Sequence, residues 1–143
     1  MPFHAQVKVR FADVDAAGIA FYPRIFKMLH VAFEDLIEER LGIPYADVIG
    51  KDHVGFPTVH LECDFKAPLR FGEVADIEIS VVRLGEKSTT LRYRVTSQSS
   101  GLLCVDAKAT IVTVRVDGNS PLVTPEKYRA LFASMRTEGG CPG

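Results

Sequence analysis

The stretch Phe11-Ala-Asp-Val-Asp-Ala-Ala-Gly-Ile-Ala-Phe-Tyr-Pro-Arg-Ile-Phe26 joins a strand to a long apolar helix, and the rest of the chain reads outward from it. Two carboxylates, Asp13 and Asp15, sit among apolar and small residues, and Gly18 follows where the backbone needs a positive φ or close approach to a ligand. Tyr22-Pro23 is a helix start, because proline's fixed φ suits the first helical position and its missing N–H would have had no partner there. The unpaired N–H groups expected at such a start are those of Tyr22, Arg24 and Ile25. They lie at the positive end of the helix dipole and suit a carbonyl or an oxyanion.

An Asp in a strand-to-helix loop commonly folds back on its own backbone as an Asx-turn former or a cap, and that structural reading weighs more for Asp13 than for Asp15. The spacing Asp13-x-Asp15-x-x-Gly18 also has the opening of a calcium loop. Ala17 stands where a third ligand belongs and Arg24 where the closing Glu belongs, so calcium is rejected.

Upstream, Val7, Val9 and Phe11 alternate with polar residues, the pattern of a strand with one buried face. Downstream, from Pro23 to about Leu41, Ile25, Phe26, Met28, Leu29, Ala32, Phe33, Leu36, Ile37 and Leu41 form an apolar arc of roughly 200°, too wide for a helix covered on one side only. Gly42, Ile43 and Pro44 stop it. A long connection with one short helical turn runs to Pro57. Val59, Leu61, Cys63 and Phe65 then mark a second strand, followed by strands over 74–84, 88–97 and 102–116, expected to form a meander with the second. A short helix is expected from Pro125 to about Met135. Residues 1–136 then make a single domain and 137–143 a disordered tail. One strand, one long helix and four antiparallel strands give an α+β domain.

The run F-x-D-x-D-x-A-G-I-x-F-Y-P, with Phe65-Lys-Ala-Pro-Leu-Arg-Phe-Gly-Glu73, resembles the hot-dog-fold acyl-CoA thioesterases, nearest the 4-hydroxybenzoyl-CoA thioesterase branch, over roughly Val7 to Val116. The resemblance implies a hot-dog fold, in which a five-stranded antiparallel sheet wraps one long central helix. It implies an acyl-CoA thioesterase acting on an aryl-CoA or a short-chain acyl-CoA, with Asp15 as the catalytic carboxylate and the Tyr22 N–H polarising the thioester carbonyl. A sister branch carries a His soon after the Gly, where this chain has Phe21-Tyr22-Pro23. By the same resemblance Lys87 and Ser88, after a glycine turn, hold coenzyme A, and the site lies between subunits of a dimer that pairs into a tetramer. Arg83, Arg70 and Lys66 are weaker candidates for the phosphates.

His30 reads either as a hydrogen-bonded core residue or as lining of the acyl pocket. The resemblance places an acidic residue against a phenol near this position, and His30 in its stead argues against a 4-hydroxybenzoyl substrate. His60 and Glu62 read as a solvated or interfacial face. A hot-dog hydratase or dehydratase, the alternative enzyme, would use a His, and none lies between 11 and 26. A non-catalytic acyl-CoA-binding module would not need Asp15.

Composition bounds the rest. A chain of 143 residues with 47% hydrophobic residues can bury one full core. A formal net charge of -1 with dispersed signs offers no stripe for nucleic acid and no polybasic membrane patch. With no apolar run near the ~20 residues that span a bilayer and no signal core, a cytoplasmic protein is expected. Cys63, Cys104 and Cys141 are too widely spaced to clamp a metal or run redox chemistry. No histidines have metal-ligand spacing, and no nucleotide-binding glycine motif or nucleophile elbow occurs, so an enzyme without metal or cofactor is expected.

Overall fold

The computed structural model describes residues 1–137. In chain order the elements are β1 (Phe3–Lys8), a 3-10 turn (Phe11–Asp13), α1 (Tyr22–Leu41), α2 (Tyr45–Gly50), β2 (Val54–Gly55), β3 (Thr58–Phe65), β4 (Val74–Leu84), β5 (Ser88–Ser97), β6 (Leu103–Val112), β7 (Val114–Arg115), β8 (Ser120–Pro121) and α3 (Glu126–Ser134). Strands β1, β4, β5, β6 and β3 form one antiparallel sheet in that order, and β2, β7 and β8 form a small second one.

Period-two alternation builds the large sheet's inner face. The register aligns Ala5, Ile77, Val95 and Val105 in one row and Phe3, Ile79, Tyr93 and Ala107 in the next, and every one of these is buried. Across this face lies α1, which buries Ile25, Met28, Leu29, Ala32, Phe33, Leu36 and Ile37, the arc expected from its sequence. Leu36 and Ile37 are fully enclosed, and burying each contributes about 1.5–3 kcal/mol. Helix α3 closes one end, with Phe132 stacked on Phe33 at 6.4 Å and edge-on to Phe56 at 5.8 Å. The Tyr128 hydroxyl donates to Asp52 Oδ2 at 2.5 Å, while Lys127 Nζ reaches the same oxygen at 2.6 Å. At the helix terminus, Gly42 takes φ 67° and donates its N–H to the Glu38 carbonyl at 3.0 Å.

Four sequence expectations are corrected. The first strand lies earlier than Val7–Phe11: Val9 is buried just beyond it, but the chain then enters the 3-10 turn and leaves Phe11 78% exposed. The four later strands are not one meander. β4, β5 and β6 are, whereas β3 crosses to the far edge and pairs with β6, Leu61 opposite Ala109. An edge strand is covered on one side only, and β3 is exposed along nearly its whole length, with only Cys63 half-buried. The last strand breaks at Thr113, whose hydroxyl bonds Thr124 at 2.7 Å. Of the expected tail, Thr137 is held by its N–H to the Val81 carbonyl at 3.2 Å, and 138–143 lie outside the described residues.

Candidate active site

The loop between β1 and α1 is shaped by its two aspartates. Asp13 accepts the Arg10 N–H on Oδ2 at 2.9 Å and fixes the 3-10 turn, the structural role weighed for it. Asp15 begins a tight reversal closed by its own N–H to the Ile19 carbonyl at 3.0 Å and by the Gly18 N–H to its carbonyl at 3.0 Å. Gly18 sits at φ +76° with nothing within 4 Å of where a Cβ would be, so backbone conformation rather than crowding requires it. Asp15 Oδ1 accepts N–H groups from Ala17 at 2.9 Å and Ile19 at 3.4 Å. Its Oδ2 accepts no hydrogen bond from the described residues, and the side chain is exposed. One carboxylate oxygen thus orders the loop while the other is open to a reactant.

At the start of α1, Phe21 is extended at φ -98° and its carbonyl accepts the N–H groups of Arg24 at 3.0 Å and Ile25 at 3.2 Å. The expectation that those two donors are vacant is therefore wrong, because the N-cap carbonyl already serves them. Pro23 has no N–H. Tyr22 N–H is left without an acceptor among the described residues, at the positive end of a helix of 20 residues. Tyr22 faces a cleft of about 440 Å³ lined also by Ile19, Ala20, Ile25 and the segment 65–69. Asp15 does not itself line this cleft; Ile19, which does, donates its N–H to Asp15 Oδ1.

Farther along α1, a second cleft of about 260 Å³ is lined by Phe26, Leu29, His30, Thr58, Leu61, Tyr93 and Ala109. Phe26 links the two clefts, with its ring 6.1 Å from Tyr22 and 6.2 Å from Phe65. His30 is not a core residue: its side chain is 59% exposed and its Nε2 lies 2.9 Å from Glu34 Oε2. At 1.5 Å per residue, His30 stands about 12 Å along the helix from Tyr22. Glu34 and Tyr45 were missed by sequence reasoning. Glu34 stands four residues after His30, a helical neighbour that spacing alone could have flagged. Tyr45 sits edge-on to His30 at 6.1 Å, and burial, with the Glu34 charge second, pushes its phenol pKa up.

Lys87 and Ser88 are not brought to this site within one chain. They turn from β4 into β5, pinned by Gly85 N–H to the Ser88 carbonyl at 2.8 Å and Thr113 N–H to the Lys87 carbonyl at 2.7 Å. The Asp15 loop packs at the other end of β4, an 11-residue strand, so about 30 Å separates them at ~3.3 Å per residue. Arg83 lies at the Lys87 end, whereas Arg70 bridges Ile19 and Lys66 lines the first cleft. His60 and Glu62 pair with each other at 3.1 Å on the exposed face of β3. Among the described residues no cluster of three or more His, Cys, Asp or Glu could hold a metal. Burial pushes the thiol pKa values of Cys63 and Cys104 up, away from nucleophilic use, and Cys141 lies outside the described residues.

A family model described as the thioesterase-like superfamily matches residues 9–132. The chain is 31% identical over 120 residues to a 1,4-dihydroxy-2-naphthoyl-CoA hydrolase of Nostoc punctiforme, covering 84% of this chain and 78% of the relative. Among solved structures it is similar to a gentisyl-coenzyme A thioesterase, at 32% identity and a TM-score of 0.80 over 91% of this chain and 99% of the other. A 1,4-dihydroxy-2-naphthoyl-CoA thioesterase from Synechocystis has the same fold, with a TM-score of 0.84 at 19% identity over 94% of this chain and 98% of that one.

Proposed function

The chain belongs to the thioesterase-like superfamily and is an acyl-CoA thioester hydrolase, and on that premise we propose that its substrate is an aromatic acyl-CoA whose thioester lies between Asp15 and the Tyr22 N–H. The observation that carries this reading is the vacant Tyr22 N–H at the helix start, on an apolar cleft whose wall residue Ile19 hydrogen-bonds the Asp15 carboxylate while its Oδ2 stays open. The donor is fixed before the substrate arrives, which is what stabilising a developing oxyanion requires. Asp15 then either draws a proton from attacking water or attacks the carbonyl itself to form a mixed anhydride that water opens. On either route the carbonyl carbon–sulfur bond breaks and the coenzyme leaves as its thiol. On the base route water supplies the acid's new oxygen, whereas on the anhydride route Asp15 supplies it and water, attacking the Asp15 carboxyl carbon, replaces the oxygen given up.

The aromatic assignment rests on the two relatives of 31% and 32% identity, whose substrates by name are aromatic acyl-CoAs, and on the ring-lined second cleft. In this reading the acyl group runs along α1 toward His30 and Glu34, and Gly18 allows the turn that presents Asp15. Release of free thiol over a panel of aryl-, short- and long-chain acyl-CoAs tests it. Expected is a kcat/KM for aryl substrates at least about tenfold above the others; a short aliphatic chain turned over equally well refutes the aromatic reading.

We also infer a homo-oligomer, a symmetric dimer that pairs into a tetramer, in which a neighbour's Lys87 and Ser88 hold the coenzyme of the substrate bound at Asp15. The ~30 Å between these groups in one chain supports it. So does the open edge at β3, where Val59, Leu61 and Phe65 are exposed. Asp15→Asn and Lys87→Glu should each inactivate the enzyme, and co-expression should restore part of the activity in mixed oligomers. Mixed oligomers confirmed by mass spectrometry but inactive would place both residues in one subunit's site. We place the enzyme in the cytoplasm on its balanced charge; no described helix is long and apolar enough to cross a membrane.

A further inference from the structure

The catalytic loop is held from outside by the turn Leu69–Glu73, which reaches it on both sides of Asp15. Before Asp15, the Val9 N–H donates to the Glu73 carbonyl at 2.8 Å and the Gly72 N–H to the Val9 carbonyl at 3.0 Å. After it, the Phe71 N–H donates to the Gly18 carbonyl at 2.9 Å and the Ala20 N–H to the Leu69 carbonyl at 2.8 Å. Ala20 is two residues from Tyr22, and Gly18 closes the reversal that aims Asp15. The position of this turn therefore sets the distance between the carboxylate and the oxyanion donor.

Beyond the chain's own run into β4 at Val74, the Glu73 side chain ties the turn to the sheet. Glu73 Oε1 accepts the Arg70 N–H at 2.7 Å, closing the turn on itself. Its Oε2 accepts the hydroxyls of Ser97, which is buried at the end of β5, and of Ser99 in the following turn at 3.0 Å. The Ser97 hydroxyl, the Arg70 N–H and the Ser99 hydroxyl all favour the ionised form and hold the Glu73 pKa below the usual carboxylate range. Hydrogen bonds to an ionised acceptor are roughly twice as strong as neutral ones. The same carboxylate faces Arg70 from its own turn and Cys104 from β6.

We propose that Glu73 is a positioning residue for thioester hydrolysis: its carboxylate pins the Leu69–Glu73 turn to Ser97 and Ser99, and through four backbone hydrogen bonds fixes the separation of Asp15 from the Tyr22 N–H. Glu73 touches no substrate. It acts on the chemical step because a displacement of about 1 Å in a reacting group costs on the order of 100-fold in rate. This inference rests on the assignment of Asp15 and Tyr22 as the catalytic pair.

The test compares Glu73→Ala, Glu73→Gln and Ser99→Ala, with Asp15→Asn in the same thiol-release assay. Glu73→Ala should lower kcat at least about 10-fold with KM within about threefold, since Glu73 itself lines neither cleft. Glu73→Gln should recover part of the loss, because its amide oxygen can still accept the Arg70 N–H while its NH₂ donates to rotated serine hydroxyls. Hydrogen exchange of peptides spanning 9–21 should speed up in Glu73→Ala while the α1 peptide 28–37 stays protected. If Glu73→Ala does not fold, Glu73→Gln and Ser99→Ala must show the same direction in kcat and exchange. Unchanged exchange in 9–21, or loss of turnover matched by Val48→Ala, which lowers stability far from the loop, overturns the proposal. Full turnover in Asp15→Asn would instead remove the catalytic reading, leaving the exchange result to decide whether Glu73 fixes the loop.

Discussion

Replacing Asp15 by Asn isolates one oxygen atom. The Asn side-chain carbonyl can take the place of Oδ1 and keep the N–H groups of Ala17 at 2.9 Å and Ile19 at 3.4 Å, so the reversal and the helix start should survive. The NH₂ then replaces Oδ2, which accepts nothing from the described residues and stands in solvent, so no buried group loses a partner. Stability should change by less than about 0.5 kcal/mol, as at an ordinary surface site. What disappears is the negative oxygen that, in the proposed mechanism, serves as base or nucleophile. Losing a positioned acid–base group costs roughly 10²–10⁴-fold, which at 1.36 kcal/mol per decade is about 2.7–5.4 kcal/mol of transition-state stabilisation. Steady-state thiol release on an aryl-CoA should show this loss in kcat with KM little changed. A single turnover of the wild type in ¹⁸O-water then separates the two routes, because label in the Asp15 carboxylate marks a nucleophile and unlabelled carboxylate a base. Turnover in Asp15→Asn within threefold of wild type, in protein that unfolds at the wild-type temperature, refutes the mechanism.

Pro23→Gly loosens the first turn of α1 and should lower kcat about tenfold with KM nearly unchanged; a change in KM alone would remove Tyr22 N–H as the oxyanion donor. Tyr128→Phe deletes the bond to Asp52 and should cost about 1–2 kcal/mol at pH 7, read by urea unfolding. The bonds from Lys127 and Tyr128 hold the Asp52 pKa below its unfolded value, so their stabilisation is present above about pH 4 and is lost as pH falls through the folded pKa. The gap between wild type and Tyr128→Phe should therefore shrink in acid, and a gap constant to pH 2 would contradict the assignment. Thr89 buries a hydroxyl with no partner among the described residues, so Thr89→Val should raise stability by about 1 kcal/mol in the same assay, and a loss would mean that the hydroxyl is satisfied.

What the sequence made legible follows the reach of the interactions involved. Helix α1 could be read because Ile25 through Ile37 repeat at helical spacing and Pro23 and Gly42 mark its ends within one residue. Asp15, Gly18 and the Tyr22 N–H could be read because the bonds that form the Asp15 reversal and the first turn of α1 span four residues or fewer, whereas the bonds from 69–73 that hold the loop do not. The two errors in strand placement share a cause. Parity is the same whether a strand lies at one edge of a sheet or the other, so Val59, Leu61 and Phe65 announce a strand but cannot announce that it pairs with β6 rather than β4. Phe11 keeps the parity of Phe3, Ala5 and Val9, and only the backbone turn taken at Arg10 to Asp13 puts it in solvent. Glu73 is the functional counterpart. Its partners Ser97 and Ser99 lie 24 and 26 residues away and meet it only because β4 and β5 are antiparallel neighbours, with Ala75 opposite Ser97. A residue that acts by holding another in place is thus recognisable once strand order is known. On the same ground the ~30 Å length of β4, with the Asp15 loop at one end and the Lys87 turn at the other, supports the proposal of a site shared between subunits.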